Sequence, residues 1–126
     1  MQSCPEFPSD QLLLAIRQFN AGKWFECHET LEDLWMDETG EMRDFYQGFL
    51  QVGVALHHWR NGNFRGAVSL FETGVGYLKK VQHVYQRVAV AELIQAAEKA
   101  RIALLELGPE RMAELDPELI PKVQII

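Results

Sequence analysis

Cysteine is scarce in this chain: there are two, Cys4 and Cys27, and no CxxC spacing. That gives no disulfide framework, and the expectation is reduced thiols in the cytoplasm. Clustered positive charge is missing too. The 12 Lys and Arg are scattered, with Lys79-Lys80 as the longest run, and 18 Asp and Glu bring the formal net charge to −6. Phosphate binding needs clustered cations, so nucleic acid is not an expected partner. No run approaches the roughly 18 apolar residues of a membrane span. The start, MQSCPEFPSD, has neither the basic region nor the apolar core of a signal peptide. There is no persuasive strand alternation, no phosphate-cradling Gly-rich loop after a strand and no nucleophile elbow. What is present, in 126 residues of which 48% are hydrophobic, is material for one domain, 1–126, with one core.

The punctuation is helical. Pro5 and Pro8 mark a leader, 1–8, and Ser9 is an N-cap followed by Asp10 in the first turn. Helix one is expected over Asp10 to Asn20, and Gly22 suits the left-handed position beyond its end. Helix two runs from about Lys23 to Met36 and helix three from about Glu41 to Arg60, where Met42, Phe45, Phe49, Val52, Leu56 and Trp59 recur at threes and fours. Helix four covers about Phe64 to Val81, a loop covers Gln82 to Val88, and helix five covers about Val90 to Leu107. Gly48 and Gly53, then Gly66, Gly74 and Gly76, lie inside helices, each costing about 1 kcal/mol against Ala. Close helix packing is the expected compensation. Gly108-Pro109 opens a short irregular tail, 109–126, holding one turn capped by Asp116 before Pro117. The expectation is an all-α, five-helix compact bundle.

A weak repeat organises it. Aligning Gly22 with Gly62, an offset of 40 residues, lays Trp24, Leu31 and Glu32 on Phe64, Phe71 and Glu72. Each half is a helix, a glycine turn with an aromatic just after it, and a second helix, as in the hairpin units of solenoids. Two hairpins closed off by helix five follow from it.

The candidate site lies in WFECHETLEDLW, Trp24 to Trp35. On a helix, Glu32 and Trp35 fall about 40° and about −20° from His28, on one stripe. HETLE approaches the HExxH helix of zinc proteases, but Glu32 replaces the second histidine, so the two-histidine mechanism is not supported. His28 and Glu32 could hold a divalent metal ion with a third ligand from helix three, either His57 or His58, and Glu29 in reserve. Helical phase from Gln47 slightly prefers His58. Arg43 and Gln47 would orient a ligand beside Trp35. The alternative is a buried His28–Glu32 hydrogen-bonded pair with Arg43 neutralising Glu32. Cys27 reads as a small buried residue, the tryptophans as core or interface anchors.

FNAGKWFECHETLEDLW followed by RDFYQGFLQVGVALHHWRNGNFRGA resembles a bacterial and archaeal family, domain of unknown function 309. Its mark is a histidine, three residues, a glutamate, two residues, then Trp or Tyr, here His28, Glu32 and Trp35. The resemblance spans about Phe19 to Leu78 and implies a small all-helical domain with metal binding suggested for the motif. It favours His57 over His58. It implies neither substrate nor reaction. Two function classes stand: a metal or small-molecule site at His28, Glu32 and His57, or a non-catalytic hairpin domain that binds another protein and uses the cluster to fix helix register. Three tryptophans and seven phenylalanines are many for a small domain to hide, so a homo-oligomer is a further expectation.

Overall fold

The repeat is visible atom by atom at its two turns. The computed structural model describes residues 8–126, so Cys4, Pro5 and nearly all of the expected leader lie outside the described residues. Helix α1, Asp10–Asn20, starts where the Ser9 hydroxyl accepts the Leu12 N–H at 3.1 Å. It ends in a Schellman motif. The Lys23 N–H donates to the Gln18 carbonyl at 2.8 Å and the Gly22 N–H to the Phe19 carbonyl at 3.1 Å. Forty residues on, the Asn63 N–H donates to His58 at 2.8 Å and the Gly62 N–H to Trp59 at 3.1 Å. Gly22 and Gly62 share a φ of +77°, which costs a residue with a Cβ about 1 kcal/mol or more.

These turns define two hairpins. The first joins α1 to α2, Trp24–Met36; the second joins α3, Gly40–Arg60, to α4, Phe64–Leu78. The closing helix is α5, Val90–Leu107. Each helix packs on its neighbour in sequence, and α3 against α4 is the most extensive pairing. Their intimacy has a local cause: Gly48 and Gly74 face one another across the seam. A Cβ on Gly48 would lie 2.6 Å from Leu78 Cγ and 2.9 Å from the Gly74 carbonyl oxygen. Gly76, for which close helix packing is likewise the expectation, has nothing within 4 Å of its Cβ position.

Phe19, Phe45, Phe49 and Phe71 are fully buried and form the centre of the core. The Phe19 and Phe49 rings meet edge to face at 5.3 Å, a geometry that adds to simple area burial. Among the described residues no helix is long and apolar enough to cross a membrane.

The expected loop 82–88 is a β-hairpin instead. Strand β1, Val84–Tyr85, pairs antiparallel with β2, Val88–Ala89. The turn residues Gln86 and Arg87 both have positive φ, 52° and 61°. Such turns are usually announced by Asn-Gly or Asp-Gly, and Gln-Arg carries no such signal. Burial explains why the hairpin holds: Val88 is fully buried, and the Tyr85 ring packs 5.3 Å from Phe45.

The tail is structured as well. Two 3₁₀ turns, Met112–Glu114 and Pro117–Leu119, lead it back along α5. Asp116 caps the second by accepting the Glu118 N–H, as expected. The Asn20 side chain then grips Val123 twice, donating to its carbonyl at 3.0 Å and accepting its N–H at 2.8 Å. An antiparallel bridge joins Ile125 to Val88. The tail thus ties α1, α5 and the β-hairpin together.

Candidate functional site

The seam between α2 and α3 collects most of the expected residues, but in two groups. At the end near the α2 N-terminus, Trp24, Phe25 and His28 from α2 meet Val54 and His57 from α3 around a pocket of about 160 Å³. Helical spacing explains the lining: Phe25 and His28 are i and i+3, and so are Val54 and His57. Trp24 forms the floor. Its indole N–H donates to the Phe19 carbonyl at 3.1 Å, and the Arg60 guanidinium stacks 4.0 Å from its ring centroid. Phe25 forms the outer wall, 6.3 Å from the His28 ring and 5.8 Å from that of His57, and 52% exposed.

His28 thus faces α3, as the sequence implied. Its Nε2 lies 3.4 Å from Glu32 Oε2, with the two side chains 31% and 52% exposed. The pair forms, but it is not a buried one. Nor does Arg43 neutralise Glu32. Its guanidinium lies 4.1 Å over the Trp35 ring and donates to the Glu38 carbonyl at 3.4 Å. Trp35 and Arg43 therefore make a second group, at the other end of the seam. Arg43 prefers Trp35 because the flat, weakly hydrated guanidinium gains from a ring face what an exposed carboxylate in water would not supply.

The two candidate histidines of α3 part company. His57 lines the pocket with His28, and its Nε2 lies 3.1 Å from the Asn61 amide nitrogen. His58 turns toward α4, with Nδ1 3.3 Å from the Asn63 amide. Gln47 is half-buried, and Glu29 is exposed on the outer side of α2. Among the described residues no group of three or more His, Cys, Asp or Glu side chains is placed to hold a metal ion. His28 and Glu32 supply two adjacent donors, and His57 meets His28 across a pocket otherwise walled by aromatic and aliphatic carbon. Cys27 is 0% exposed, and burial pushes its thiol up to about 12. It stays a protonated core residue, since the reactive form is the thiolate.

Phe25 and Val54 were missed as site residues in the sequence. The signal was available: each stands three residues before a candidate histidine, on that histidine's own stripe.

Residues 12–70 match the family model described as Domain of unknown function (DUF309). The DUF309 match is all-helical, runs from α1 into α4, and takes in the whole α2–α3 seam. It stops before the second half of α4, the β-hairpin, α5 and the tail. "Uncharacterized protein YpuF" of Bacillus subtilis (strain 168) is 38% identical over 64 residues, 49% of this chain and 37% of the relative. An "Uncharacterized protein" of Aquifex aeolicus (strain VF5) is 33% identical over 46 residues, 36% of this chain and 14% of the relative. The chain thus aligns with well under half of either relative's length.

Proposed function

We propose that this protein is a non-catalytic helical-hairpin module that binds a partner protein, and that the pocket between Phe25, His28 and His57 receives one aromatic side chain of that partner. The volume of the pocket carries this reading. Sites for cofactors and drug-sized molecules run to about 300–1,000 Å³, whereas this one holds about 160 Å³. A cavity of about 150 Å³ accommodates a single benzene ring. The walls suit a ring: Trp24 and Phe25 offer aromatic surface, and the two imidazoles offer hydrogen-bonding edges to a phenol or indole. An exposed aromatic beside a preformed slot also matches the anchor-and-pocket pairing that dominates protein interfaces.

The test uses the amides of N-acetyl tryptophan, tyrosine and leucine as probes, read by NMR on the side chains of His28, His57 and Trp24. The aromatic amides should shift all three residues and the leucine amide should do so more weakly. Phe25→Ala, which removes an exposed wall, and Val54→Arg, which fills the slot, should each abolish the difference. Equal shifts for the three probes, or none, overturn the reading. A zinc titration serves the competing class. Stoichiometric zinc that moves both imidazoles and is lost in Glu32→Ala would make this a metal site instead.

A further inference from the structure

A second surface lies outside the matched family segment, on the outer face of α5. Two open grooves of about 340 and about 550 Å³ lie there and share Lys99 and Leu119. One wall is α5 itself, from Glu92 to Glu106; the other is the tail, from Arg111 to Gln124. Fifteen helical residues measure about 22 Å, or four turns. The floor is apolar, with Ile102, Ala103, Leu107, Leu115 and Leu119. Ile102 is 47% exposed.

The hairpin repeat explains why this face is open. By its place in the order of helices, α5 begins a third pair, and the chain that follows it is a tail of 3₁₀ turns and extended pieces, not a second helix. A hairpin unit without its partner helix leaves an apolar stripe of helix width. The charge around the stripe says which kind of helix fits. Glu92, Glu106, Asp116 and Glu118 stand exposed along the two grooves. Of the cations there, Arg111 is forked onto the Glu114 carboxylate at 3.1 and 3.2 Å, which leaves Lys99 and Lys122, the latter donating to the Asn20 carbonyl at 2.8 Å, against those four carboxylates.

We infer that this groove receives a basic amphipathic helix of a partner protein, four turns long, laying its apolar stripe on Ile102 and Leu119 and its lysines or arginines against the flanking carboxylates. A second copy of this chain fits poorly, because it carries a net charge of −6 and exposes Glu26, Glu29, Glu32 and Asp33 along α2.

The test titrates two synthetic helical peptides into the full chain. Both carry leucines at i, i+3, i+4 and i+7; one has lysines at the other positions and one has glutamates. The lysine peptide should bind and shift amides of α5 and the tail. Ile102→Asp, a change at a half-exposed position checked by its melting temperature, should weaken it by about tenfold or more. Glu106→Lys with Glu118→Lys should weaken the lysine peptide and strengthen the glutamate one. Phe25→Ala should change nothing, so failure here and failure of the aromatic pocket are separable. Equal affinity for the two peptides, indifference to Ile102→Asp, or no binding at roughly 1 mM overturns the inference. So does self-association of the chain that Ile102→Asp abolishes, which would assign the face to a second copy.

Discussion

Helix α3 meets its two neighbours in sequence, α2 and α4, in opposite ways. Toward α4 it presents Gly48, and the helices close until a single added methyl group would collide with Leu78 and the Gly74 carbonyl. Toward α2 it presents Arg43, Val54 and His57, and the seam keeps a ring-sized slot, the partly exposed His28–Glu32 pair and the half-buried Arg43–Trp35 stack. One flank is sealed by the absence of side chains; the other is held ajar by large ones. Stability therefore concentrates on the α4 side, and the α2 side is where we propose recognition, because a tightly packed seam has no room for a ligand and an open one forgoes burial.

Four measurements break or sharpen that contrast. The largest effect is expected on the sealed flank. Gly48→Ala should lower unfolding free energy by about 1–3 kcal/mol in urea titration, since overpacking outweighs the helix propensity gained. A neutral or stabilising result would mean that the two helices separate at little cost. Next comes the turn that opens α4. The Asn63 side chain accepts the Gly66 N–H at 2.9 Å, while Lys23, its counterpart before α2, makes no such bond. Asn63→Ala should cost about 1 kcal/mol, and Lys23→Ala should cost far less; equal losses would remove the distinction between the hairpins.

On the open flank, His28→Ala and Glu32→Ala should each change stability by about 1 kcal/mol or less, the range of exposed ion pairs. A much larger loss would restore the buried-pair reading. The effect smallest at neutral pH belongs to Cys27. Its folded pKa, raised by burial from 9.0 to about 12, means that the unfolded chain gives up this proton first. Its contribution to stability is thus intact below about pH 9 and lost as pH rises toward 12. Cys27→Ala should flatten the fall in melting temperature above pH 9, and in a Cys4→Ser background Ellman's reagent should reach Cys27 only on unfolding. A native thiol that reacts freely at pH 8 would contradict its burial.

Much of the architecture is legible in the sequence. Helix boundaries for α1 and α5 follow from Ser9, Gly22 and Gly108, because caps and left-handed turns are local and need no distant partner. The aligned turns at Gly22 and Gly62 were readable for the same reason. The β-hairpin was not, since Gln86-Arg87 takes positive φ only because Val88 and Tyr85 are buried on either side. Of the candidate site, the shared face of His28 and Glu32 was legible from helical phase, and the exposure of the pair was not.

What the chain's order of residues determined alone is therefore everything with a period or a cap: five helices, two matched hairpins, and a stripe bearing His28, Glu32 and Trp35. Tertiary structure decided which stripe members meet. It sent Arg43 to Trp35, His58 to Asn63 and His57 to the slot beside Phe25. Periodicity sets the direction of a side chain to within a face of its helix, a sector about 100° wide. The relative rotation and spacing of two helices picks the partner within that sector.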